Sequence, residues 1–199
     1  MALTSITKIR KQEILKAFYQ TAQEEGLENT SMAKIAKILN VQPSLIVHYF
    51  KTKEELSAAL IDFCLEKYTL IFEQEFSKPN EPRKKIQLLI ERLFSKEWNE
   101  LFDDGVFYSC YALIFRSAEI RSKFRALHEG LRSKLTCVVK DYLSEKGQDP
   151  QQAEMLSHQV FILIDGSYYF INMIPDKKEQ ELHLKTAKKL AKTVLGIEK

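Results

Sequence analysis

The sequence predicts an all-α protein of about nine helices, with a helix-turn-helix domain over residues 1–52 and a larger helical bundle over residues 53–199. Three observations predict it. Apolar residues recur at spacings of three and four along most of the chain, which is the period of a helix with one buried face. The starts of the periodic segments carry capping residues. Only 6 Gly and 5 Pro occur among 199 residues, too few for the frequent turns of a β-sandwich or barrel. With 45% apolar and 29% charged residues, the composition is that of a globular chain able to bury a core.

Ile14, Ala17, Phe18 and Ala22 mark the inner face of a first helix, and Gly26 is its left-handed stop. A second, short helix is expected after Thr30, read as its N-cap, with Met32, Ile35, Ala36 and Leu39 inward. Leu39-Asn40-Val41 reads as a tight turn, because Asn tolerates the left-handed conformation better than other non-glycine residues. Gln42–Tyr49 forms the third helix, with Pro43 in the first turn, where no amide donor is needed. Thr52-Lys53-Glu54-Glu55 is a capping box that opens a fourth helix running to about Phe76.

Lys78-Pro79-Asn80-Glu81-Pro82 is the one clear linker. Beyond it the helical candidates are 82–102, 104–117, 119–146, 150–174 and 177–195. Asp149 and Asp176 stand three residues before a Gln and a Glu as N-caps, and Gly147 is a stop.

Residues 35–49 satisfy the packing demands of a helix-turn-helix. Ala36 is the small residue at the helix crossing, Asn40 the turn residue and Ile46 the apolar residue ten positions after Ala36. Ile35, Leu39, Val41 and Tyr49 fill the remaining inward places. The bland alternative is an αα-hairpin that touches nothing. Against it stands the outward face Gln42, Ser44, Val47 and His48. Gln and Ser there suit the base edges of a major groove, and Val suits a thymine methyl. Charge agrees: residues 1–53 hold eight Lys and Arg against four Glu, whereas the rest of the chain is close to neutral. Lys8, Arg10, Lys11, Lys34, Lys37, Lys51 and Lys53 are candidates for phosphates.

The stretch Thr30 to Ala36, followed by Val41-Gln42-Pro43-Ser44-Leu45-Ile46-Val47-His48-Tyr49-Phe50-Lys51-Thr52-Lys53-Glu54-Glu55-Leu56, resembles the DNA-binding domain of the TetR family of bacterial transcriptional regulators. The resemblance covers about residues 8–60. It implies that Ser31, Gln42, Pro43, Ser44, His48, Tyr49 and Lys53 contact double-stranded DNA, with Tyr49 and Lys53 on phosphates. Val47 and Lys51 join them from the outward face and its basic edge. Leu45 stands where the family often has Thr, and Val47 where it often has Tyr, so no operator sequence carries over.

The resemblance also implies a C-terminal domain that dimerises and encloses a ligand pocket, and hence a repressor released from a palindromic operator by a small-molecule effector. Ile164 to Phe170, with Arg116 and Ser117-Ala118-Glu119-Ile120-Arg121, is similar to the family's BetI-like branch. Phe94, Trp98, Phe102, Tyr108, Tyr111, Phe115 and Tyr168 are the expected ligand-binding residues. Clustered aromatic faces can hold a cation, and a packed aromatic core is the plainer reading of the same residues. The effector is then a quaternary amine or an apolar molecule. Homodimerisation is expected through 150–174 and 177–195, using apolar residues such as Val160, Phe161, Leu163, Ile164, Leu190 and Val194.

No histidine or cysteine stands at a metal-ligand spacing, and no nucleophile or phosphate-loop motif occurs, so neither catalysis, metal nor cofactor is expected. The rival readings are a helical protein-protein adaptor and an enzyme without DNA binding. Cys64, Cys110 and Cys137 are read as reduced thiols. With no apolar run near a membrane span, the expectation is a cytoplasmic protein without a membrane partner.

Overall fold

Local signals end the first two helices where the sequence predicts. The structure, a computed structural model, describes residues 2–76, 81–95, 98 and 102–197, and these contain nine α-helices and no strand. α1 (Ala2–Glu25) stops at Gly26, whose φ is +85°, and α2 (Met32–Ile38) follows. Asn40 takes φ 52° as the turn into α3 (Pro43–Tyr49). There the Val41 amide donates to the Ala36 carbonyl at 2.9 Å, which fixes the angle between the two short helices. α4 (Lys53–Phe76) opens with the Glu55 amide donating to the Thr52 hydroxyl at 3.1 Å. Its returning bond runs to the Lys51 amide at 2.7 Å, one residue earlier than a capping box centred on Thr52.

One start differs from the sequence reading. The N-cap of α2 is Ser31, whose hydroxyl accepts from the Lys34 amide; Thr30 is 1% exposed and donates instead to the Gly26 carbonyl. Both hydroxyls compete for one role, and burial decides which is spent on the loop.

The later helices are α5 (Pro82–Leu93), α6 (Asp104–Ala112), α7 (Ala118–Glu145), α8 (Ala153–Ile171) and α9 (Lys177–Val194). Of the expected linker, residues 78–80 lie outside the described residues, and Glu81 and Pro82 begin α5. α5 ends nine residues short of the expected Phe102, where the Ser95 hydroxyl donates back to the Arg92 carbonyl and accepts from the Trp98 amide. Short 3₁₀ turns, Leu113–Phe115 and Pro150–Gln152, take the end of the sixth expected segment and the start of the eighth. Asp103, Asp149 and Asp176 each accept a backbone amide at a helix start.

The helices gather into two compact units, residues 1–65 with 102–127 and residues 66–101 with 128–199. In the first, Phe18, Ile35, Ile46, Leu56 and Leu60 have no exposed surface, and α1 packs on both α2 and α6. In the second, α9 packs along α8 and against α5. Tyr168 donates to the Leu93 carbonyl at 2.8 Å, the Glu145 carboxylate accepts from the Arg83 amide, and Glu91 pairs with both Lys188 and Lys192.

Val160, Phe161 and Ile164, expected to face a second copy, are 0–5% exposed within this chain. The outward residues of α8 are instead Met155, Ile162, Tyr169 and Phe170, joined by Leu182 and Leu190 of α9.

The positive φ at residue 40 sets the first prediction. Asn40→Val should destabilise the protein by about 1–2 kcal/mol, the cost of a left-handed backbone for an L-residue with a branched Cβ, while Asn40→Gly should be close to neutral. Urea unfolding followed by circular dichroism measures both.

Candidate nucleic-acid interface

The short helix α3 owes its orientation to one buried residue. Ile46 has no exposed surface, so the helix presents its opposite side outward. On that side Gln42, Pro43, Ser44, Val47 and His48 are all exposed, Val47 by 46%. A single apolar side chain open to this extent between polar neighbours suits a contact with a base methyl. Gln42 is the N-cap of α3, in extended backbone, and its exposed side chain makes no capping hydrogen bond. Asn40, Val41, Gln42, Ser44, Leu45 and His48 together line a surface groove. In the sequence Asn40 reads as a turn residue and Val41 as a turn and inward-packing residue; their place on the groove comes from the tightness of that turn.

The basic residues divide. Lys34 is tied to the Glu25 carboxylate and the Asn29 carbonyl, which clamps α2 to the end of α1. Lys53 donates to the Glu28 carbonyl at 3.1 Å and fastens the start of α4 to the same loop. Lys11 stands 5.4 Å over the Phe50 ring, and Arg10 pairs with Glu13. Lys37 and Lys51 are exposed, as is Ser31, the N-cap of α2. Tyr49 is half-buried, with its ring edge-on to His48 at 5.2 Å. All nine residues expected to touch DNA therefore lie on α3 or beside the two helix starts that flank it. Two of the cations among the wider set also serve as struts of the fold.

Residues 14–60 match the family model described as bacterial regulatory proteins of the tetR family, and residues 81–197 match the tetracyclin repressor-like C-terminal domain. The chain belongs to the TetR family. It is similar to the nucleoid occlusion factor SlmA of Vibrio cholerae, at 25% identity over 79% of this chain and 81% of that protein. It is similar also to the regulator BetI of Rhizobium meliloti, at 24% identity over 84% and 80%. Among solved structures, a TetR transcription regulator from Haloarcula marismortui shares the fold with TM-score 0.81, at 21% identity over 96% of this chain and 98% of that one. A transcriptional regulator from Saccharomonospora viridis, solved in complex with choline, shares it with TM-score 0.73, at 15% identity over 92% and 95%. This TetR-family chain is accordingly a transcriptional regulator with an N-terminal DNA-binding domain, and its family and relatives are regulators and not enzymes. No described helix is long and apolar enough to cross a membrane.

The expected ligand residues are distributed over both units. In the first unit Phe102, 2% exposed, stands 6.5 Å from Phe107, which meets Phe124 at 5.4 Å and Tyr108 at 5.5 Å. Phe124 in turn meets Tyr111 at 5.5 Å. Phe115 ends this series at 74% exposure, 6.3 Å from Tyr111. Phe102, Phe107 and Phe124 share a closed apolar space with Leu60, Ile61, Cys64, Cys110 and Leu127 that does not admit a water molecule, so this part is packed core. In the second unit Trp98 is buried against Tyr68 at 4.6 Å, Phe94 is buried, and the Tyr168 hydroxyl is spent on the Leu93 carbonyl. Asp165 of the sequence run shared with the BetI-like branch lies 3.6 Å from His128.

Burial separates the three thiols, which form no disulfide. Desolvation pushes the Cys110 thiol up to about 12, so it stays protonated and unreactive at neutral pH. Cys64 is buried too, whereas Cys137 is exposed. Titration with an aromatic disulfide reagent at pH 8 should modify Cys137 rapidly in the native protein and all three cysteines only in denaturant.

Proposed function

We propose that this TetR-family regulator is a cytoplasmic homodimeric repressor that binds a palindromic operator through α3 and leaves it when a small molecule binds the C-terminal region. The observation that carries the reading is the outward face of α3: hydrogen-bonding and small apolar side chains, exposed, on a helix fixed by one buried isoleucine and edged by lysines. In this reading Gln42, Ser44, Val47 and His48 meet base edges. Ser31, Pro43, Tyr49, Lys51 and Lys53 hold the backbone. Residues 1–52 read DNA, and residues 53–199 dimerise and bind the effector.

A single helix-turn-helix reaches few bases, and a two-fold dimer presents two of them at a fixed separation. Ile162, Tyr169, Phe170, Met173, Leu182 and Leu190, each 47–63% exposed, supply the apolar surface that a second copy would cover. The effector proposal places the ligand against Phe94, Trp98 and Tyr168, with Phe102, Tyr108, Tyr111 and Phe115 as the further candidates from the sequence. A quaternary amine is the first class to test, since aromatic faces hold such cations and a solved neighbour of this fold carries choline. Neutral apolar molecules are the second. Trp98 is the sole tryptophan, so quenching of its fluorescence reports binding directly.

Base contacts and phosphate contacts separate by their signatures. Gln42→Ala should change which operator sequences are preferred, at a cost of about 1–3 kcal/mol for the best one. Lys53→Ala should weaken all duplexes alike and lower the salt slope by about one. Fluorescence anisotropy across a salt series, on duplexes selected from a randomised pool, measures both. Binding that ignores sequence and both substitutions would leave the adaptor reading in its place.

A further inference from the structure

α1 carries a polar contact that the DNA-binding motif does not require. The Tyr19 hydroxyl oxygen accepts the Asp103 amide hydrogen at 2.8 Å, across 84 residues of chain. The Tyr19 ring lies 4.6 Å from that of Phe102, which is 2% exposed. Asp103 is the residue that starts α6: its carboxylate accepts the Val106 amide and its carbonyl accepts the Phe107 amide, both at 2.9 Å. Tyr19 thus grips the first turn of α6 at its cap. α1 is fastened to the recognition motif through Lys34 on Glu25 and Lys11 over Phe50, and Lys53 ties the start of α4 to the loop that follows α1.

We propose that Tyr19 is a positioning residue for DNA recognition, fixing α1, and with it α2 and α3, to the start of α6 through the Asp103 amide and the Phe102 ring. α4 runs on from the motif and shares a closed apolar space with α6. Tyr19 supplies a second connection within the same compact unit, and two connections between the same bodies resist rotation where one does not. Burial raises the Tyr19 phenol above its ordinary value, so the hydroxyl stays neutral at every working pH. In the homodimer proposed above, a head that turned against α6 would carry α3 with it and so alter the separation of the two recognition helices.

The proposal rests on the operator-binding reading, and its test keeps the two apart. Palindromic duplexes are selected from a randomised pool with the full chain, and the best is remade with one or two base pairs added or removed between its half-sites. Tyr19→Phe keeps the ring and removes the acceptor; Phe102→Leu keeps the acceptor and removes the ring contact. For each variant the preference for the selected spacing over the altered ones should fall about fivefold or more, the worth of roughly one hydrogen bond, with affinity for an isolated half-site unchanged. A merely structural role would lower the melting temperature and leave that preference where it was.

Hydrogen exchange in the unaltered protein gives a reading independent of folding defects, with slower exchange of the Asp103 amide expected in the DNA complex. Unchanged spacing preference in both folded variants, or an Asp103 amide indifferent to DNA, overturns the proposal alone. Failure of the wild-type chain to select any sequence overturns the operator-binding reading, and this proposal with it.

Discussion

The inner face of α1 is the constraint on which the recognition half depends. Ile14, Ala17, Phe18 and Ala22 are 0–4% exposed, and no short helix such as α2 or α3 could hold itself without such a platform. Seven residues of helix are well below the length that is stable alone in water, so the shape of α3 comes from burying Ile46, from the Asn40 turn and from the Val41–Ala36 hydrogen bond. The outward residues Gln42, Ser44, Val47 and His48 stay exposed and take little part in that packing.

The same helix ties the motif to a second group of residues far away in sequence. The compact unit that contains the motif also takes in 102–127, with Lys123 paired to Asp62 at 2.6 Å and the closed apolar space between α4, α6 and α7. A regulator of this kind needs stiffness in two places: within the head, so that α3 is presented in one orientation, and between the head and the helices beside it, so that a shift in one is felt by the other. Close packing around Phe102, Phe107 and Phe124 supplies the second, because a core without free volume moves as a body.

How much of this could be read in the sequence follows from the range of each interaction. Gly26, Asn40, Pro43 and the Thr52–Glu55 pair act within four residues, so the helices of the head and their turn were legible, and the motif with them. Where two neighbouring hydroxyls compete, as at Thr30 and Ser31, local rules cannot choose, since tertiary burial decides. α5 similarly ends early, beside a Ser95 side-chain bond that periodicity does not register. The exposed face of α3 was legible because one buried Ile fixes all the others by geometry. The aromatic residues were not, because their number says nothing about sorting: Phe102 and Phe115 differ by thirteen positions and lie at 2% and 74% exposure. Tyr19 carried no signal at all, its partner being 84 residues away.

The central claim is that the recognition motif and residues 102–127 behave as one cooperative unit. Native-state hydrogen exchange over a series of low denaturant concentrations tests it most directly, by following the amides of Ile35 and Phe50 in the head and of Phe107 and Phe124 in α6 and α7. The account predicts that all four open with the same free energy and the same dependence on denaturant. Opening of the head amides at a clearly lower free energy, while those of α6 and α7 stay protected, would contradict it.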